Sequence, residues 1–264
     1  MSHPQPSITI NVDATNPGQF FACCGLLELA DRLWPGAEGW FAADDRTFQI
    51  AAAGTLDELV GEIAEASLTP LRPDDPYSSP VIVGSPFRPF TVDWWETDLT
   101  GARDLKVWAG TMESFGIAHA MQQAIASDPR FRSATLFDVD MVVMTTAGKK
   151  KEPYYFDARR TPNAHSRDVG FSPNDLGMTS IAHPAVELLC LIGLQVARPA
   201  PTPFSRVYDY HTWRVPLMSC LLLAASGGAL QTRAMHTYRF ENWFRTGQKK
   251  HKAFRTATSL SQGS

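Results

Sequence analysis

Apolar and polar positions alternate from Ser7 to Val12, with Ile8, Ile10 and Val12 on one side, the two-residue period of a half-buried strand. The turn signal Asn16-Pro17-Gly18 ends it. From Gln19 to Trp34 the period changes. Phe20, Cys23, Cys24, Leu27, Ala30 and Leu33 recur at three- and four-residue steps, which predicts a helix stopped by Pro35-Gly36. Gly39 to Ala53 reads as two short strands around Asp44-Asp45, because Trp40, Phe41, Phe48 and Ile50 flank a polar tip. Thr55 with Glu58 three residues on predicts a capping box, opening a helix through Leu56, Leu59, Val60 and Ile63. Strand, helix, hairpin, helix is most of a ferredoxin-like βαββαβ unit.

The pattern then loosens. Residues 67–90 are proline-rich, with edge strands or loop expected at 80–83 and 87–92. Thr111 to Ser127 predicts a helix stopped by Asp128-Pro129, and Leu136 to Met144 a strand. Residues 145–182 lack a period and read as a long functional loop. A buried helix is expected from Pro184 to Val196, and strands at Ser205–Leu217 and Met235–Phe244. Met218 to Ala225 is ambiguous between helix and strand, and the last twenty residues read as a basic tail. The expected class is α+β: a ferredoxin-like amino-terminal unit elaborated by a basic, loop-rich carboxyl-terminal half.

Composition supports a folded chain, since 44% of its 264 residues are hydrophobic and only 19% charged. Charge changes the picture further. The net value is only -3, yet residues 1–140 hold 8 basic and 20 acidic side chains, while 141–264 hold 16 and 7. The expected organisation is therefore an acidic region, 1–140, with a basic region, 141–264, packed on it. Such asymmetry points to a nucleic-acid or acidic-partner surface; the plainer alternative is that the halves neutralise each other within one fold. No apolar stretch reaches the roughly 20 residues of a membrane span. The amino terminus has no basic segment followed by an apolar one, so the expected compartment is the cytoplasm.

Candidate chemistry concentrates in the basic half. Lys149, Lys150 and Lys151 precede Tyr154, Tyr155, Arg159, Arg160 and Arg167. Arg239, Trp243, Phe244, Arg245, Lys249, Lys250 and Lys252 repeat the mixture. Cations hold phosphates without reading sequence, and aromatic faces stack on exposed bases, so interleaving the two suits a single strand or guide backbone. The plainer reading makes the aromatics core and the charges an ordinary solvated face.

Cys23 and Cys24 share the apolar face of the first helix, and the four cysteines form no CxxC pair, so they are expected to be core residues. His183 and Glu187, four apart, are half of a metal site at most, and no metal or cofactor is expected. His165 and Asp168 have the types of a general-base pair, but no nucleophile motif accompanies them. Neither a GxxxxGK[ST] loop, GxSxG nor HExxH occurs, so ATPase and conventional hydrolase activities are not expected.

Three sets of segments carry a resemblance: NPGQFFACCGLLELA (16–30); DWW (93–95) with LKVWAG (105–110); and YFDARR (155–160) with VGFSP (169–173) and PAVELL (184–189). Together they resemble an accessory protein family of type I-G (formerly I-U) CRISPR systems, encoded beside the interference helicase-nuclease and the Cascade subunits. The resemblance spans residues 8–200 or so and supplies no catalytic residues. It implies a noncatalytic role in RNA-guided antiviral defence, with CRISPR RNA or target DNA, and Cascade subunits or the helicase-nuclease, as partners. The rivals are a metal-independent endoribonuclease trimming guide RNA with His165 or His211, and a pure protein adaptor. A glycine-rich carboxyl-terminal loop near a histidine would favour the endoribonuclease, and Gly227-Gly228 is the only candidate for it.

Overall fold

Asn16 sets the first helix. Its side chain accepts from the Gly18 N–H, and Pro17 occupies the first helical position, where no N–H is needed. The turn signal after the first strand is thus also a helix cap. The computed structural model describes residues 3–96, 102–109, 112–160, 181–230, 235–245 and 250–260. Within them β1 (Ile8–Asn11), α1 (Pro17–Leu33), β2 (Glu38–Phe41), β3 (Thr47–Ala51) and α2 (Leu56–Glu65) follow the expected order. The capping box at Thr55 and Glu58 is complete.

The amino-terminal strands do not close a ferredoxin-like topology. β1, β3 and β2 lie side by side and antiparallel, but the next place is taken by β9 (Leu217–Met218) against β2. β4 (Leu68–Pro70), which follows α2, instead forms its own sheet with β5 (Val81–Val83) and β6 (Phe90–Val92). Pro70, which lacks an N–H, ends β4 after three residues, and Pro73 and Pro76 follow it. The result is a mixed α+β protein with several antiparallel sheets and five helices among the described residues.

α3 (Ser114–Ser127) and α4 (Pro184–Val196) arise where their patterns place them. The strand expected at 136–144 is absent: Ser133 and Thr135 carbonyls accept from Leu136 and Asp138 in successive turns, and only isolated bridges at Met141 and Met144 remain. Leu136, Phe137, Val139 and Val143 are buried even so, which explains the misleading alternation. Beyond β7 (Ala200–Pro201), β8 (Val207–His211) and β9, the ambiguous stretch is a 3-10 turn leading into α5 (Leu222–Ser226). β10 (Thr237–Phe244) pairs with β8 on one edge and, on the other, with β11 (Lys252–Phe254) and β12 (Thr258–Leu260). Within the expected basic tail the described residues therefore include two strands, β11 and β12, with Ala253, Phe254 and Ala257 buried.

One apolar core runs through both halves of the sequence, from Ile8 to Ala257. Its centre is the contact of α1 with α4. Gly25 and Gly193 let the two backbones meet: a Cβ on Gly25 would lie 2.1 Å from the Leu189 carbonyl oxygen, and one on Gly193 1.8 Å from that of Phe21. Cys23, Cys24 and Cys190 are fully buried in these helices, and burial raises all three thiol pKa values. No helix among the described residues is long and apolar enough to cross a membrane.

Candidate nucleic-acid interface

The interleaved cations and aromatics of the basic half mostly meet one another. Arg245 lies 3.4 Å from the centre of the Tyr155 ring, Arg255 3.6 Å from Trp243 and Arg206 4.5 Å from Phe244. Tyr154 is fully buried, its hydroxyl donating to the Ser114 carbonyl and its ring packed on Trp108. Tyr155 is buried as well and donates to Glu152. Neither ring presents a face to solvent in this structure, so the stacking expected of Tyr154 and Tyr155 has no surface to act on. Trp243 and Phe244 are half-buried under their arginines.

Several expected phosphate contacts are already engaged. Arg159 grips Asp157 with both Nε and Nη2 and reaches Asp138 at 3.1 Å. Arg239 holds Asp209 in a fork at 2.7 Å, and Lys151 pairs with Glu113 at 3.0 Å. Arg160 is buried within 5.7 Å of the Tyr155 ring centre, and Arg245 is half-buried. Lys149 and Lys150 are exposed on the turn closed by the Met144–Lys150 bridge. Arg167, Lys249, His165 and Asp168 lie outside the described residues.

Lys250 and Lys252 belong to a different setting. They line a groove of about 450 Å³ together with Tyr77, Arg103, Lys106 and Trp108. Backbone bonds assemble it: the Lys252 N–H donates to Val107 at 2.9 Å, and Asn242 Nδ2 donates to the Asp104 carbonyl at 2.7 Å, docking β10 and β11 on residues 104–107. Trp108 Nε1 donates to the Tyr77 carbonyl at 3.4 Å, closing the aromatic wall. Lys106 Nζ sits 5.0 Å from the centre of the Trp108 ring, and Lys252 Nζ donates to the Asp104 carbonyl.

The electrostatics of this groove are those of crowded cations. Burial draws Lys252 down to about 8, with Arg206 and Lys106 adding to the shift and Asp104 opposing it. Burial likewise lowers Lys106, with Arg103 reinforcing and Asp75 and Glu96 resisting. Arg72 engages both of those carboxylates. An anion placed there would offset the desolvation of these cations and screen their mutual repulsion. Arg103, Lys106 and Tyr77 escaped the sequence reading because they lie in the acidic half; the LKVWAG segment, which contains Lys106 and Trp108, was the signal available.

Three of the other segments behind the resemblance, 16–30, 155–160 and 184–189, converge elsewhere, on a buried polar knot, while 169–173 lies outside the described residues. Asn16 Oδ1 accepts from the Ala158 N–H at 3.0 Å, and its Nδ2 donates to Asp157 at 2.9 Å. Glu187 accepts from the backbone N–H groups of Tyr155, Phe156 and Asp157 at 3.0 to 3.2 Å. His183 Nδ1 lies 3.2 Å from Asp157 Oδ2. Burial raises Asp157, but its bonds and charge pairing with Arg159 outweigh that and hold it below the usual range. Burial and then the Asp157 charge push Glu187 up to about 7, against its three N–H donors. With both carboxylates fully buried, the knot fastens residues 155–158 to α1 and α4. Among the described residues no cluster of three or more histidine, cysteine or acidic side chains is placed to hold a metal ion. No protein-family model, curated protein or solved structure matches the chain.

Proposed function

We propose that this chain is a noncatalytic component or partner of an RNA-guided type I CRISPR interference complex, and that its basic groove holds the phosphate backbone of guide RNA or of a target strand. One observation carries the nucleic-acid part. Lys106 and Arg103 from the acidic half and Lys250 and Lys252 from the basic half face one cleft, two of them partly desolvated. Cations so arranged exchange condensed counterions for protein contacts when a polyanion binds. The assignment to CRISPR interference rests on the resemblance in its three sets of segments.

Salt titrations of single-stranded RNA and DNA binding test the groove. Replacing Lys106, Lys250 and Lys252 by alanine should flatten the slope of log affinity against log salt by about 0.7 per lost contact, roughly two units in all. Replacing Lys149, Lys150 and Lys151 should flatten it less, because Lys151 is paired with Glu113. An unchanged slope in the groove variant would refute the assignment. Copurification of the tagged protein from its native operon, with mass spectrometry and nucleic-acid analysis, identifies the complex.

One observation favours the endoribonuclease reading. The Gly227-Gly228 turn lies against His211, whose Cε1 is 2.5 Å from the position a Gly228 Cβ would occupy. His211 Nδ1, however, is 3.2 Å from the Ser226 carbonyl oxygen, a contact that orients the ring as part of the α5 terminus. Cleavage of repeat RNA lost in His211→Ala would put that reading first.

A further inference from the structure

We propose that the groove is a subsite for a single unstacked nucleotide, with the base against Tyr77 and the phosphate among Lys106, Lys250 and Lys252. The inference rests on the nucleic-acid reading above and adds what the groove selects: an unpaired strand, one nucleotide of which enters. A volume of about 450 Å³ falls within the roughly 300–1,000 Å³ of small-ligand clefts. A duplex, whose bases are stacked and paired, does not fit such a cleft.

The chemistry of the walls is divided as a nucleotide is divided. Tyr77 is 46% exposed, as open an aromatic as any described residue but Phe204, whereas Trp94, Trp108 and Tyr154 are all but fully buried. Its main chain is fixed by Trp108, so the ring stands on a held backbone. Aromatic faces of this kind stack on any base, which gives binding without sequence preference. The ammonium-bearing residues Lys106, Lys250 and Lys252 line the same groove. Among the described residues neither Lys106 nor Lys252 forms an ion pair with a carboxylate, so both charges are available to a phosphate.

Calorimetric titration of the full chain with inorganic phosphate, a nucleoside, the corresponding nucleoside 5′-monophosphate and a single-stranded oligonucleotide tests the subsite. The monophosphate should bind more tightly than phosphate or nucleoside alone. Tyr77→Ala keeps the carbonyl that holds Trp108, so the fold should survive; it should weaken monophosphate and oligonucleotide binding on the order of ten-fold and leave inorganic phosphate unchanged. Tyr77→Phe should restore both. Lys106→Gln with Lys252→Gln should weaken phosphate, monophosphate and oligonucleotide alike. A monophosphate that binds no better than phosphate, or affinities indifferent to Tyr77→Ala, would overturn the subsite. If oligonucleotide binding depends on the lysines but not on Tyr77, the groove remains a backbone site and the nucleotide subsite falls. If the monophosphate binds through Tyr77 but no oligonucleotide does, the subsite stands as one for a free nucleotide and the nucleic-acid function falls.

Discussion

A carboxylate that accepts three backbone N–H groups is ordinarily among the most acidic in a protein. Glu187 is instead pushed up to about 7, because burial and the neighbouring Asp157 charge outweigh those donors. The consequence has a definite sign. A carboxyl whose folded pKa lies above its unfolded value binds the proton more tightly when folded, so its stabilising contribution is complete below the unfolded pKa, about 4.3, and is lost as pH rises through about 7. Glu187→Gln stays neutral throughout and turns one N–H acceptor into a donor, so it should cost about 1–3 kcal/mol where the wild-type group is protonated. Urea denaturation from pH 5 to pH 8 should show that cost shrinking as pH rises; a gap that stays constant over this range would mean that Glu187 keeps a low pKa. Subtracting variant from wild type removes the opposing trend of His183, whose pKa burial lowers. Little of this was legible in the sequence, where His183 and Glu187 read only as half a metal site. Partners so distant in the chain, Asn16 with Asp157 and Glu187 with Tyr155, follow from tertiary packing and leave no local spacing to read. Cys23 and Cys24 were legible, since the period of α1 alone places them on its apolar face. Tyr154 and Tyr155 were not, because an aromatic beside cations looks the same whether it stacks on a base or closes a core.

Elements with strong local signals formed where their residues place them. The Thr55–Glu58 capping box and Pro184 at the start of α4 are chemical instructions confined to one turn. The 136–144 segment and the carboxyl-terminal strands were misread for opposite reasons. In the first, alternating apolar residues are buried from turns without a partner strand; in the second, three-residue strands are too short to show a period and depend on β10 as template. What governs the α1–α4 pair is likewise absent from any hydrophobic pattern, because glycine contributes no apolar side chain. Gly25→Ala places its methyl 2.1 Å from the Leu189 oxygen, and backbone on both sides leaves no rotamer to yield. The helices would have to separate and lose core packing along their length. A cost of about 3 kcal/mol or more is expected, beyond the usual range for a single added methyl. Chemical denaturation of Gly25→Ala and Gly193→Ala measures it, with Gly36→Ala as a control for positive φ alone, since nothing lies within 4 Å of a Cβ there. If both helix variants cost no more than the control, the close approach does not limit stability.

At the scale of the molecule, the uneven charge of the sequence is spent partly inside it. Arg159 reaches Asp138, Lys151 reaches Glu113, and Arg214 reaches Asp45, each pairing the basic half with the acidic one. Asp45 also accepts from His236 at 2.6 Å and Tyr238 at 2.8 Å, tying the tip of the β2–β3 hairpin to residues beside and within β10. The plainer alternative of mutual neutralisation therefore accounts for part of the asymmetry, and the groove gathers part of the remainder. These ties are also consequential for folding. Residues 1–140 taken alone would expose the face of α1 that meets α4, leave β2 without β9 and leave Asp45 without its three donors. Uncovering that much apolar surface removes more stabilisation than the roughly 5–15 kcal/mol that holds a domain together. Residues 1–140 and 141–264 expressed separately should each lack a cooperative urea transition and near-ultraviolet circular dichroism, while the two fragments produced together should recover both. Single-fragment cooperativity in 1–140, with a midpoint close to that of the full chain, would instead place a true domain boundary at residue 140 and make the contacts across it secondary.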